Sequence, residues 1–270
     1  MLTVAGPRTT NGGMRSEVEY NGPMPMHDVV IPAAEGECAA SLHVPEGDGP
    51  WPAVIMYPDA GGLRPTLRSM GERLSGLGYV VLVPDVYYRA GGFEPFSMAT
   101  VFSDADERQR LFTLMSGLTP DMSVRDAASF LDYLGSRAEV MAGPVGTTGY
   151  CMGGRISLTV AGSHGDRIGA AASFHGGRLA VEDDPNSPHL LAGNVKAVVY
   201  VAAAKDDGSF PEDQAERLTK AYTDAGVSFT IETYPALHGF AVPDNPTFDD
   251  SAAERHWEAM ERLYGEALGS

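Results

Sequence analysis

The sequence predicts an α/β fold: a mostly parallel central sheet of about eight strands with helices on both faces. Two observations carry this. Short apolar runs alternate with helical patterns along residues 27–270. The middle runs are apolar throughout, as expected for strands covered on both sides. The strands are read at Asp28–Ile31, Ala39–Val44, Ala53–Tyr57, Tyr79–Val83, Val145–Gly149, Gly169–Phe174, Ala197–Ala202 and Ser228–Tyr234. The helices are read at Leu67–Leu77, Phe96–Met115, Val124–Ser136, Gly153–Ser163, Pro211–Ala225 and Asp249–Ala267. Val124, Ala127, Ala128, Leu131 and Leu134 form one apolar stripe, with Asp121 or Ser123 as the expected cap.

Bulk properties narrow the class. The chain has 270 residues, 43% of them apolar, enough for one sizeable core in a single domain over 27–270. Residues 1–26 hold clustered Gly, Asn, Thr and Pro and read as a flexible N-terminal extension. A formal net charge of -17 disfavours nucleic acid and anionic membranes as partners. No apolar run is long enough to span a bilayer, and no signal-peptide core is evident, so the expected compartment is the cytoplasm. Two cysteines, Cys38 and Cys151, exclude a disulfide framework.

In sheets of this kind, sites form beyond the carboxyl ends of the strands. Gly149-Tyr-Cys151-Met-Gly153 lies between an apolar strand and a helical pattern. It fits the nucleophile elbow, with Cys in place of Ser. The glycines suit a tight turn, and the following helix directs its positive end at the sulfur. A phosphatase loop requires Arg six positions after the Cys, whereas Ser157 stands there. A glutamine amidotransferase requires His-x-Glu, whereas His238 is followed by Gly239 and Phe240.

An elbow requires an acid and then a His further along the chain. Of seven histidines, His238 follows the last strong strand at a carboxyl end. Asp206 and Asp207 both follow the preceding strand, and spacing alone does not choose between them. For an oxyanion hole, the Met152 amide and an amide of the Pro58–Gly62 loop, at Ala60, are the expected donors. His175 also stands at a strand end and is expected to line the pocket.

Together these segments resemble the dienelactone hydrolase (carboxymethylenebutenolidase) family of the α/β-hydrolase superfamily. Gly149-Tyr-Cys-Met-Gly-Gly154 is similar to its elbow, His238-Gly-Phe240 to its base segment, and Pro84-Asp-Val-Tyr-Tyr-Arg89 to its Pro-Asp-Leu-Tyr-x-Arg segment. Asp207-Gly-Ser-Phe-Pro211 is similar to its acid turn, which selects Asp207 over Asp206. The resemblance also implies an acidic residue beside the resting Cys, here Asp59, and a substrate-carboxylate contact by Arg89. A second substrate-binding Arg after the base is replaced by Val242, which predicts a weaker preference for carboxylates and more room for apolar groups.

The implied reaction is hydrolysis of a small ester or lactone through a thioester on Cys151, with no cofactor and no metal. The protein is expected to act as a monomer or homodimer. The rival reading is a ligand-binding or regulatory protein of the same fold without turnover. The complete set of Cys151, Asp207 and His238 in the required order argues against it.

Overall fold

The computed structural model describes residues 26 to 269. The expected extension at 1–26 therefore lies almost wholly outside the described residues. One eight-stranded sheet runs through the molecule: β1 (Met26–Ala33), β2 (Gly36–His43), β3 (Ala53–Tyr57), β4 (Val80–Pro84), β5 (Val145–Gly149), β6 (Ile168–Phe174), β7 (Val198–Ala204) and β8 (Phe229–Tyr234). Their spatial order is β1-β2-β4-β3-β5-β6-β7-β8. β1 pairs antiparallel with β2, and β2 with β4; every other pairing is parallel. Each predicted strand coincides with one of these, with small shifts at the ends.

Among the described residues six α-helices accompany the sheet: α1 (Pro65–Ser75), α2 (Ala105–Gly117), α3 (Pro120–Gly135), α4 (Met152–Ser163), α5 (Glu212–Ala225) and α6 (Asp250–Ala267). The side-chain alternation of β3 shows how two faces are covered. Val54 and Met56 join a core with Leu67 and Leu74 of α1 and Trp257 and Met260 of α6. Ile55 and Tyr57 join the opposite core with Leu131 of α3, Leu158 of α4 and Leu218 of α5. The central strands are buried along their whole length, which explains their unbroken apolar runs.

Two predictions of detail are corrected. The stretch predicted as one helix over Phe96–Met115 is helical only from Ala105 onward. Asp104 caps that helix, its side chain accepting from the amides of Asp106 and Glu107. Before the cap, Phe96, Met98 and Val101 turn inward and pack with Leu111 and Ala60, forming an apolar flap over the loop after β3. Burial against that loop outweighs the helical preference of the segment. The second correction concerns α3, which starts at Pro120 and is capped by Thr119 instead of Asp121 or Ser123. Proline at the first helical position lacks an amide that would have no partner there. Asp121 instead pairs with Arg125 one turn on.

Thr119 donates nothing to the core, so its cap can be tested in isolation. Replacing Thr119 with Ala is expected to cost about 1 kcal/mol of stability. Urea unfolding should show a lower midpoint at unchanged slope.

Candidate active site

The parallel strands β3, β5, β6, β7 and β8 end at one edge of the sheet. The turns leaving them carry Asp59, Cys151, His175, Asp207 and His238 in that order. Topology therefore gathers residues from five distant parts of the chain.

Cys151 occupies the turn between β5 and α4 with φ 53 and ψ -113, a conformation costly for a residue with a Cβ. Its amide donates to the Phe174 carbonyl at 3.1 Å, and the Gly153 amide donates to the Tyr150 carbonyl at 2.8 Å, so both sides of the turn are anchored. The flanking glycines are required by space. A Cβ on Gly149 would lie 2.0 Å from the Gly153 carbonyl oxygen, and one on Gly153 would lie 2.3 Å from that of Tyr57. Met152 is the first residue of α4, so its amide has no acceptor inside the helix. The Tyr87 hydroxyl donates to the Ala60 carbonyl at 3.1 Å and lies 3.3 Å from the Met152 sulfur. It ties together the two loops that hold the predicted oxyanion donors. Tyr87 carried no functional signal in the sequence beyond its place in the family segment.

His238 Nδ1 donates to Asp207 Oδ2 at 2.7 Å. A carboxylate only accepts, so Nδ1 carries the proton and Nε2 is left for another partner. Asp207 Oδ1 accepts from the Ser209 amide at 2.8 Å and the Ser209 hydroxyl at 2.7 Å, which fixes the carboxylate plane. Burial would raise the Asp207 pKa, but the bonds from His238 and Ser209 outweigh it and hold the pKa below the ordinary value. Asp206 adopts a left-handed φ of 54 and points to solvent, 3.8 Å from Lys205. For His238, burial disfavours the charged ring; the Asp207 and Cys151 side chains overcome this and raise its pKa to about 10.

Cys151, His238, His175, Asp59 and Ala60 line one cavity of about 170 Å³, with Met98 and Phe102 from the apolar flap. His175 is fully buried at its floor with φ 39, and neither ring nitrogen has a hydrogen-bond partner among the described residues. Burial, reinforced by His238 and His256, holds its pKa well below 6.5, so the ring is neutral. Asp59 reaches the cavity but is gripped from behind. Its two carboxylate oxygens accept from Arg64 at 2.6 and 3.0 Å. Arg64 also donates twice to Asp244, at 2.7 Å each, and joins the loop after β3 to the loop after β8. This clamp was not foreseen, because its partners lie far apart in sequence.

Arg89 is not brought to this cavity. It donates to both oxygens of Asp126, at 2.7 and 2.8 Å, and to Glu35 at 2.6 Å, and it lines a separate cleft with Val86 and Met122. A further cleft of about 290 Å³ lies beyond Met152 and does not include Cys151. Among the described residues, no group of three or more His, Cys, Asp or Glu could hold a metal ion, and no helix is long and apolar enough to cross a membrane.

Residues 38–268 match the dienelactone hydrolase family. The chain belongs to that family. The family, within the α/β-hydrolase superfamily, makes it a hydrolase of carboxylic esters or lactones. An Escherichia coli K12 protein, provisionally named carboxymethylenebutenolidase, is 28% identical over 222 residues, covering 80% of this chain and 77% of the relative. Carboxymethylenebutenolidase 1 of Cupriavidus pinatubonensis is 24% identical over 221 residues, covering 80% of this chain and 86% of its own. Among solved structures, a provisionally named dienelactone hydrolase from Klebsiella pneumoniae superposes with TM-score 0.78 at 25% identity, covering 89% of this chain and 98% of that one.

The raised His238 pKa makes a stability prediction with a definite sign. A His pKa raised in the folded state contributes stability that is complete below about pH 6.5 and is lost as pH rises through about 10. The thermal midpoint should therefore fall as pH rises from about 7 to about 10.5. Asp207→Asn removes a main cause of the shift and should flatten that part of the curve. An imidazole NMR titration of both proteins checks the assignment directly.

Proposed function

We propose that this family member cleaves its ester or lactone through a covalent thioester on Cys151, with His238 as base and Asp207 orienting the base. One observation supports the reading above others. The side chain held in a strained conformation at the start of α4 shares a cavity with a His whose far nitrogen is fixed by a carboxylate. Strain kept at one residue by its surroundings is a signature of functional positions.

The proposed steps are acylation of Cys151 and then hydrolysis of the thioester. His238 Nε2 holds the proton taken from Cys151, and sulfur bonds to the substrate carbonyl carbon. Met152 and Ala60 supply the amides that stabilise the developing oxyanion. The carbon–oxygen bond to the alcohol breaks, and His238 returns the proton to the leaving oxygen. Water then attacks the thioester and gives a proton to His238. The carbon–sulfur bond breaks, and His238 keeps the proton beside the released sulfur. Asp207 keeps the ring in one tautomer and stabilises it while charged. His175, neutral and fully buried, lines the cavity beside His238, with ring centroids 5.1 Å apart.

An activated phenyl ester should give a burst of phenol equal to the enzyme, followed by slower turnover. Iodoacetamide labelling mapped to Cys151 should abolish both phases, and Cys151→Ala should be inactive. Full activity in that variant would remove the mechanism. Asp207→Asn should stay folded and lose up to about ten-thousandfold in kcat.

A further inference from the structure

The cavity that contains Cys151 offers an anionic group no free cation. Ala60, Met98, Phe102 and Pro246 give it mostly apolar walls, and among the described residues no Lys or Arg lines it. Its one additional charged wall residue is Asp59. Arg64 stands behind Asp59, but its guanidinium is occupied by Asp59, Asp244 and the Gly62 carbonyl. That cluster of two carboxylates and one guanidinium carries an excess negative charge. His238 also lines the cavity, and its charge when protonated is already matched by Asp207.

Arg89 is committed elsewhere as well. Three hydrogen bonds join it to Asp126 and Glu35, and its guanidinium stacks over the Tyr88 ring at 4.5 Å. The Asp126 side chain is 5% exposed. Freeing Arg89 for a substrate would leave that buried carboxylate without its cation and with only the Tyr88 hydroxyl donating to it, at 2.9 Å, an unfavourable change.

We propose that the Cys151 cavity selects small esters or lactones that carry no charge near the scissile bond, and that Arg89 fastens α3 to the β1–β2 turn instead of reading a carboxylate. This rests on Cys151 being the reacting residue. A carboxylate entering these walls would lose its water and find no free cation, whereas a methyl group in its place loses nothing. The negative cluster at Asp59 adds repulsion that the low-dielectric walls screen poorly.

The test separates charge selection from turnover. Butyranilide and succinanilic acid are amides that differ only in ending the acyl chain with a methyl or a carboxylate. Each is titrated as a protector of Cys151 against iodoacetamide, read by peptide mass; Cys38 is fully buried and serves as internal control. Butyranilide should half-protect at a concentration about tenfold lower or more, and Arg89→Met should leave the ratio unchanged. Equal or better protection by succinanilic acid overturns the proposal, as does failure of butyranilide to protect. A specific loss of succinanilic acid protection in Arg89→Met overturns the role given to Arg89. If that variant does not fold, the wild-type ratio alone decides the charge preference. Phenyl butyrate turnover is measured in parallel. Protection with the expected ratio but no turnover would reject the hydrolytic reading and leave the charge selection standing.

Discussion

The approach of α4 to the ends of β3 and β5 is the constraint on which the site depends. The backbone of Gly153 passes so close to the Tyr57 carbonyl that no side chain fits between them, and Gly149 meets Gly153 in the same way. This contact forces Cys151 into its left-handed conformation, and the amide bond to Phe174 prevents relaxation. It also brings the start of α4 against the loop bearing Ala60. Tyr87 then bridges the two. A cavity, a half-buried cysteine lining it and two converging loops all follow from one backbone contact between a strand and a helix.

The distribution of charge is a second organising feature. An acidic chain with 36 carboxylates and 19 Lys and Arg has few cations to place. The structure spends several of them on fastening segments distant in sequence. Arg64 joins two loops, Arg89 joins α3 to the β1–β2 turn, and Arg155 of α4 holds the loop containing Asp184. The edge that carries the candidate site is left with apolar walls and paired carboxylates. Net charge alone gave no hint of that allocation, because it describes the surface as a whole and says nothing about which side chains face one another.

The sheet was legible because its strands are short apolar runs separated by polar turns, and burial on both faces demands that pattern. Cys151 and His238 were legible because each stands at the end of such a run in a setting with few alternatives. The choice between Asp206 and Asp207 was not open to spacing. It depends on a left-handed φ at Asp206 that turns one carboxylate outward, and only the family segment pointed to the other. The segment from Phe96 to Asp104 was misread because its apolar residues suit a helix as well as a flap, and the contact with Ala60 that decides the matter is not local. Arg89 is the sharpest case. A short loop after a strand places it near the edge that carries the candidate site, but Glu35 and Asp126 determine where its guanidinium points, and neither partner is visible from its neighbourhood in sequence.

The Arg64 clamp bears on how this scaffold can be recombined. Loops after separate strands are usually treated as independent modules that can be exchanged between relatives. Here Asp59, Arg64 and Asp244 form one unit divided between two such loops, with Thr66 donating to Asp244 at 2.8 Å and Asn245 3.5 Å from Asp59. A graft that imports the segment after β8 without a carboxylate at position 244 would leave half of a buried guanidinium without acceptors. It would also loosen the Asp59–Gly61 turn that carries Ala60. The two segments are therefore inherited, or engineered, as a pair: residues 59–66 travel with residues 244–245, although 180 residues separate Arg64 from Asp244 along the chain.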